Sequence, residues 1–197
     1  MDWEKDLPPI ARERLARIGE LTRAEKEQVI DSERVDSILS EFHQGRMGAE
    51  DLWKRLREED RPSLLREAQV KLVDSLSFGS GGVEMQRRRE AVLAIESLKE
   101  QQNTSMVEHR LTLMEDLQRA YRAEVEQAYN RIRAEVERKP QLRVKQVQQG
   151  ADTALVELTT DEAIRQFPQW QDFLSQQEGR YRQEFARAAD MLKRELR

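Results

Sequence analysis

No cysteine occurs in the 197 residues. Disulfides, thiolate nucleophiles and cysteine-based zinc or iron–sulfur sites are excluded together. Glycine (8) and proline (5) are scarce, so few positions punctuate the backbone and regular elements must be long. Histidine is limited to His43 and His109, and neither follows a carboxylate at the Glu-x-x-His spacing of di-iron helical bundles. There is no HExxH either. Long apolar runs are also missing: nothing approaches the roughly 18 residues of a membrane span, and Met1 to Leu21 has no uninterrupted apolar stretch of the secretory type. A cytoplasmic protein with no membrane partner is the expectation.

Charge of one sign is lacking as well. The net charge is −4, and residues 1–78 hold 14 basic and 18 acidic side chains, residues 79–141 hold 11 and 11, and residues 142–197 hold 9 and 9. A phosphate backbone needs a basic field, so nucleic acid is not an expected partner. What the chain does have is charge in quantity, 37% of its residues against 38% hydrophobic. That balance suits narrow apolar stripes on long helices better than a thick core, because a two-helix seam needs apolar residues at only about two of every seven positions.

Residues 1–78 are expected to form an N-terminal helical subdomain. Pro8 and Pro9 suit a first helical turn and Gly19 weakens its end. Thr22 and Glu25 stand at capping-box spacing and open a second helix, whose stripe of Val35, Ile38, Leu39 and Phe42 stops at Gly45, a residue free to turn left-handed. A further helix carries Leu52, Trp53 and Leu56. Pro62 opens another with Leu65, Ala68, Leu72 and Leu76 on one side.

Residues 79–197 form the second expected region. After the glycine-rich turn at residues 79–82, Val83 to Arg138 contains neither proline nor glycine, a candidate helix of 56 residues, about 84 Å at about 1.5 Å per residue. Leu111, Met114, Gln118, Tyr121, Val125, Ala128, Ile132 and Glu135 occupy heptad a and d positions, and Ala91, Ile95 and Leu98 make a shorter seam upstream. Residues 100–105 between them are either a hinge or a polar layer. Pro140 ends the helix. Leu142, Val144, Ala154, Val156 and Leu158 then alternate as on a β-hairpin, although Val144, Val147, Ala151, Ala154 and Leu158 also fit a helical stripe. The capping box of Thr159 and Glu162 favours the hairpin, since it starts a new helix there. Pro168 opens a returning helix with Leu174, Tyr181, Phe185, Ala188 and Leu192 on one face, and Trp170 and Phe173 near its start.

The expected fold is therefore mainly α: an N-terminal helical subdomain plus a long antiparallel coiled coil capped by a small hairpin. A 56-residue helix outruns its returning arm, so the seam at residues 91–98 must be covered by the N-terminal helices, by a second copy or by another protein. Candidate interaction residues are Ala91, Ile95, Leu98, Leu111, Met114, Tyr121, Val125, Ile132, Trp170 and Phe173. No catalytic residue, metal ligand, cofactor or small-molecule substrate is expected. Arg87, Arg88 and Arg89 beside the glycine turn offer an anion site, against the plainer reading of a solvated basic patch diluted by Glu84 and Glu90.

The stretch ILSEFHQGRMGAEDLWKRL, residues 38–56, resembles short helix–glycine–helix modules that bacterial proteins use for oligomerisation. The order of long helix, hairpin and helix is similar to that of prefoldin-type chaperones, which implies holding of apolar clients. Three functions are thus open: a non-enzymatic scaffold assembling as a homo-oligomer or with a protein partner, a holdase, and an enzyme with carboxylate chemistry in the helical subdomain.

Overall fold

Thr22 and Glu25 make the reciprocal cap that their spacing predicts. The Glu25 N–H donates to Thr22 Oγ1 at 3.3 Å, and the Thr22 N–H donates to Glu25 Oε2 at 2.7 Å. Two donors without intrahelical partners are satisfied at once, and α1 (Arg23–His43) begins. The computed structural model describes residues 22–59, 61–149 and 152–196, so the helix expected from Pro8 to Gly19 lies outside the described residues.

Helix α1 stops in a Schellman turn. The Gly45 N–H donates to Phe42 O and the Arg46 N–H to Glu41 O, both at 3.0 Å, with Gly45 at φ 77°. A side chain at that φ is strained, so Gly45→Ala is expected to cost about 1 kcal/mol in urea unfolding.

Three more helices follow: α2 (Ala49–Glu59), α3 (Pro62–Ser75) and α4 (Gly82–Glu96). Helix α1 packs on α2 and α3, and α4 packs on α2 and α3. The stripes meet in one core of Val35, Ile38, Leu39, Phe42, Leu52, Leu56, Leu64, Ala68, Leu72, Met85, Ala91, Val92 and Ile95, all buried. Removing a leucine-sized side chain from water contributes roughly 1.5–3 kcal/mol, so this cluster is the main source of stability here. Polar ties register the helices: Ser63 Oγ donates to Asp31 Oδ2 at 2.9 Å, and Lys71 Nζ donates to Asp36 Oδ1 at 2.6 Å.

The 56-residue helix does not form. Helix α4 ends at Glu96, and α5 (Thr104–Arg138) begins after a turn that contains neither glycine nor proline. Local hydrogen bonding breaks the helix instead. The N–H groups of Leu98 and Lys99 tighten onto Ile95 O and Glu96 O, and Asn103 O accepts the first N–H groups of α5, from Met106 and Val107. Ser97 Oγ donates to Ala94 O at 2.7 Å and accepts the Trp53 indole N–H at 3.1 Å. The covering partner for Ala91 and Ile95 is therefore the chain's own N-terminal helices.

Two compact units result. One holds the described residues through Val107 together with Lys193–Leu196, with Lys193 Nζ donating to Asp74 Oδ1 at 2.7 Å. The other, Glu108–Leu192, contains most of α5, a 3₁₀ turn (Pro140–Arg143), β1 (Val144–Gln149), β2 (Asp152–Glu157), α6 (Thr160–Gln166) and most of α7 (Pro168–Leu196). In this second unit Tyr121 meets Tyr181 edge-on at 5.7 Å and Tyr129 meets Trp170 edge-on at 5.7 Å. Positions ascending on α5 meet positions descending on α7, so the pair is antiparallel. The strict heptad fails after Ile132: Glu135 is exposed and bonded to Lys139, and Val136 is buried in its place. A straight helix turns every 3.6 residues, and its buried line drifts off a seven-residue repeat.

The segment with two sequence readings is the hairpin. Its strands pair antiparallel from Val144↔Glu157 to Gln149↔Asp152, and Thr159 with Glu162 forms the second capping box. Seven α-helices and one two-stranded hairpin make the described chain mainly α.

Candidate interaction surface

The ten candidate residues fall into two groups. Ala91, Ile95, Leu111 and Met114 have 0% exposure and Trp170 has 7%, so their side chains serve the chain's own packing. Leu98, Tyr121, Val125, Ile132 and Phe173 are half-buried. Four of these five, all but Leu98, lie in the second unit along the middle of the α5–α7 seam, together with half-buried Ala128, Tyr129 and Leu174. Val125, Ala128, Tyr129, Ile132, Phe173 and Leu174 pack against a small core of Val136, Ala163, Ile164 and Trp170, with Trp170 stacked on Phe173 at 5.8 Å. The Tyr129 hydroxyl donates to Asp161 Oδ1 and ties α6 to α5. The Tyr181 hydroxyl donates to Glu124 Oε1 at 2.7 Å and ties α7 to α5.

A buried carboxylate of the first unit holds it together. Glu96, 1% exposed, accepts the Asn103 N–H at 2.6 Å, the Gln69 amide at 2.8 Å and Lys99 Nζ at 3.0 Å. Burial pushes its carboxyl upward, but the bonds from Asn103, Gln69 and Lys99 outweigh that and hold it below the ordinary glutamate value. The carboxylate thus latches the turn that separates α4 from α5. A cavity of about 350 Å³ opens beside it, lined by Leu65, Leu98, Met106 and Leu196, with charges of both signs around it.

The arginine triplet has a role that sequence spacing did not show. Arg87 donates to the carbonyls of Phe42 and Met47 and lies over the Phe42 ring at 4.3 Å. Arg88 donates to Ser75 O and pairs with Glu84. Two guanidiniums thus satisfy the carbonyl ends of α1 and α3, where the helix dipole favours positive charge. The solvated patch expected here is in part a pair of helix caps. Their partners lie up to 45 positions away in sequence, beyond any local motif.

His43 is the last residue of α1. Partial burial against Phe42, and then the charges of Arg88 and Arg87, hold its pKa below the ordinary histidine value, with Glu84 opposing. The favourable terminus for a cation is already taken by arginine. His109 is exposed on α5. Among the described residues no three acidic or histidine side chains converge as a metal cluster.

The hairpin is the most open element. Val144, Leu155 and Val156 are 48%, 70% and 39% exposed, and among the described residues no third strand joins β1 or β2. Val144 and Leu155 lie on one face and Val156 on the other, because alternate residues share a face. The Val156 face is covered in part: Val147 and Ala154 are half-buried there, and Lys145 Nζ donates to Gln166 Oε1 of α6 at 2.7 Å.

Among the described residues no helix is long and apolar enough to cross a membrane. No curated protein and no solved structure matches the chain. A sequence family does match, over residues 50–197, from the start of α2 onward. The chain belongs to this family of unknown function, DUF6657.

Proposed function

We propose that the chain is a non-enzymatic interaction or scaffold protein of the cytoplasm that assembles with a second copy through its α5–α7 unit. One observation carries the reading. The four-helix unit buries its own stripes, whereas Tyr121, Val125, Ala128, Ile132 and Leu174 along the α5–α7 seam stay half-exposed. Two helices alone leave such a seam partly wet, and further helices of the same kind dry it. The interface suggested by Ala91 and Ile95 is not part of this proposal, because both are enclosed by α1 to α4.

Sedimentation equilibrium over a wide concentration range tests it. The wild type is expected to self-associate. Ala128→Arg, which sets two like charges facing across the seam, is expected to weaken association by about a hundredfold with helix content unchanged. A chain that stays monomeric at every concentration contradicts the proposal.

A further inference from the structure

A two-stranded sheet with much of its surface exposed is at the lower limit of stability, and three or more strands are the usual remedy. Which edge of this hairpin is open follows from its ladder. The Leu158 N–H donates to Arg143 O at 2.7 Å, and these residues lie one step beyond Val144↔Glu157 in the same register. Antiparallel ladders alternate, so the pairs at 145/156, 147/154 and 149/152 exchange bonds. On β1 the residues Gln146 and Gln148 therefore aim their N–H and C=O groups outward, whereas the Val144 N–H donates to Gln141 O of the preceding turn, and on β2 Thr153, Leu155 and Glu157 point their backbone groups outward.

The two edges differ in defence. Strand β2 carries an acid at each end of its sequence, Asp152 and Glu157, while β1 (VKQVQQ) carries one charge, Lys145, drawn toward Gln166 of α6, and no acid, proline or bulge across six successive pairs. Self-pairing of β1 about Lys145 sets two lysines opposite, and about Gln146 it sets Lys145 against Val147. With Val147 on the axis, Val147 meets Val147 and Gln146 meets Gln148, while Lys145 keeps its bond to Gln166 Oε1 at 2.7 Å. The half-buried Ala154 and Val147 of each copy then form one apolar row across four strands.

We propose that the outer edge of β1 pairs antiparallel with β1 of a second copy about a two-fold axis through Val147, closing a four-stranded sheet. The contact rests on the self-assembly reading above and names its bonding surface. It is isologous, so it closes at two copies instead of propagating.

The chain's lack of cysteine supplies the test. Val147→Cys places the only thiol of each copy on the axis at a non-hydrogen-bonded pair, where Cα atoms stand about 4.5 Å apart and a disulfide fits. Mild oxidation is expected to give a covalent dimer, and Lys145→Cys, offset along the ladder, is expected to give none. Gln146→Pro deletes an outward N–H while leaving the β1–β2 bonds intact. The axis doubles the loss to two hydrogen bonds, so the dimer dissociation constant is expected to rise roughly thirtyfold, and Gln146→Ala leaves it unchanged. Association that survives Gln146→Pro, with no covalent dimer from Val147→Cys, overturns the hairpin contact and leaves assembly through the helices standing. A wild type that is monomeric throughout overturns both.

Discussion

Glu96→Ala is expected to destabilise the four-helix unit by about 3–5 kcal/mol, because the Asn103 N–H, the Gln69 amide and Lys99 Nζ lose their shared acceptor and Gln69 keeps only its longer bond to Val92 O at 3.2 Å. Leaving buried donors unpaired costs more than a net hydrogen bond contributes. Urea unfolding followed by circular dichroism reads the loss. The paired change Glu96→Leu with Gln69→Leu is expected to recover much of it, since Gln69 already carries a buried Oε1 with no partner and an apolar pair removes the whole polar demand. Acid acts in the same direction as the single mutation. The folded carboxyl titrates below its ordinary value, so its contribution is complete above the unfolded pKa and disappears as pH falls through the folded one. Glu96→Gln cannot ionise, and the stability gap between it and the wild type is expected to narrow over that acid range.

Trp170→Ala is expected to cost about 3–5 kcal/mol in the second unit, the usual range for truncating a buried aromatic. The ring stacks on Phe173, meets Tyr129 edge-on and covers Val136 and Ile164, so its loss opens the only all-buried cluster near the hairpin among the described residues of that unit. Trp170→Phe keeps most of the contact and is expected to cost less than half as much. Chemical denaturation compares the two. An alanine variant as stable as the wild type shows that the hairpin end of the α5–α7 pair is held by something other than this cluster.

Both sites show what the sequence could reveal. Devices that act over three or four residues were legible: Thr22 with Glu25, Thr159 with Glu162, Gly45 as a left-handed stop, and Pro62 and Pro168 as helix openers all stand where their chemistry places them. The mainly α class and the hairpin followed from those devices. The break at residues 97–103 was legible only as one of two readings of residues 100–105, a hinge or a polar layer, because helices usually stop at glycine or proline and this one stops on Ser97 and Asn103. The Asn103-Thr104-Ser105 cluster was the available signal, a run of residues that favour helix starts. Glu96 as its latch depends on Gln69, 27 positions upstream, and the Arg87 cap on carbonyls 40 and 45 positions away. Such contacts exist only once the helices have packed. Of the candidate surface, the middle seam on α5 was legible from heptad spacing. The enclosure of Ala91 and Ile95 was not, since a stripe on one helix does not say which neighbour covers it.

The central claim is that assembly belongs to Glu108–Leu192 and not to the four-helix unit. Hydrogen–deuterium exchange of the full chain at low and high concentration tests it most directly. Added protection at high concentration is expected in peptides covering residues 117–132 and 144–149, with α1 to α4 unchanged. Added protection confined to the four-helix unit, or none at any concentration, contradicts it.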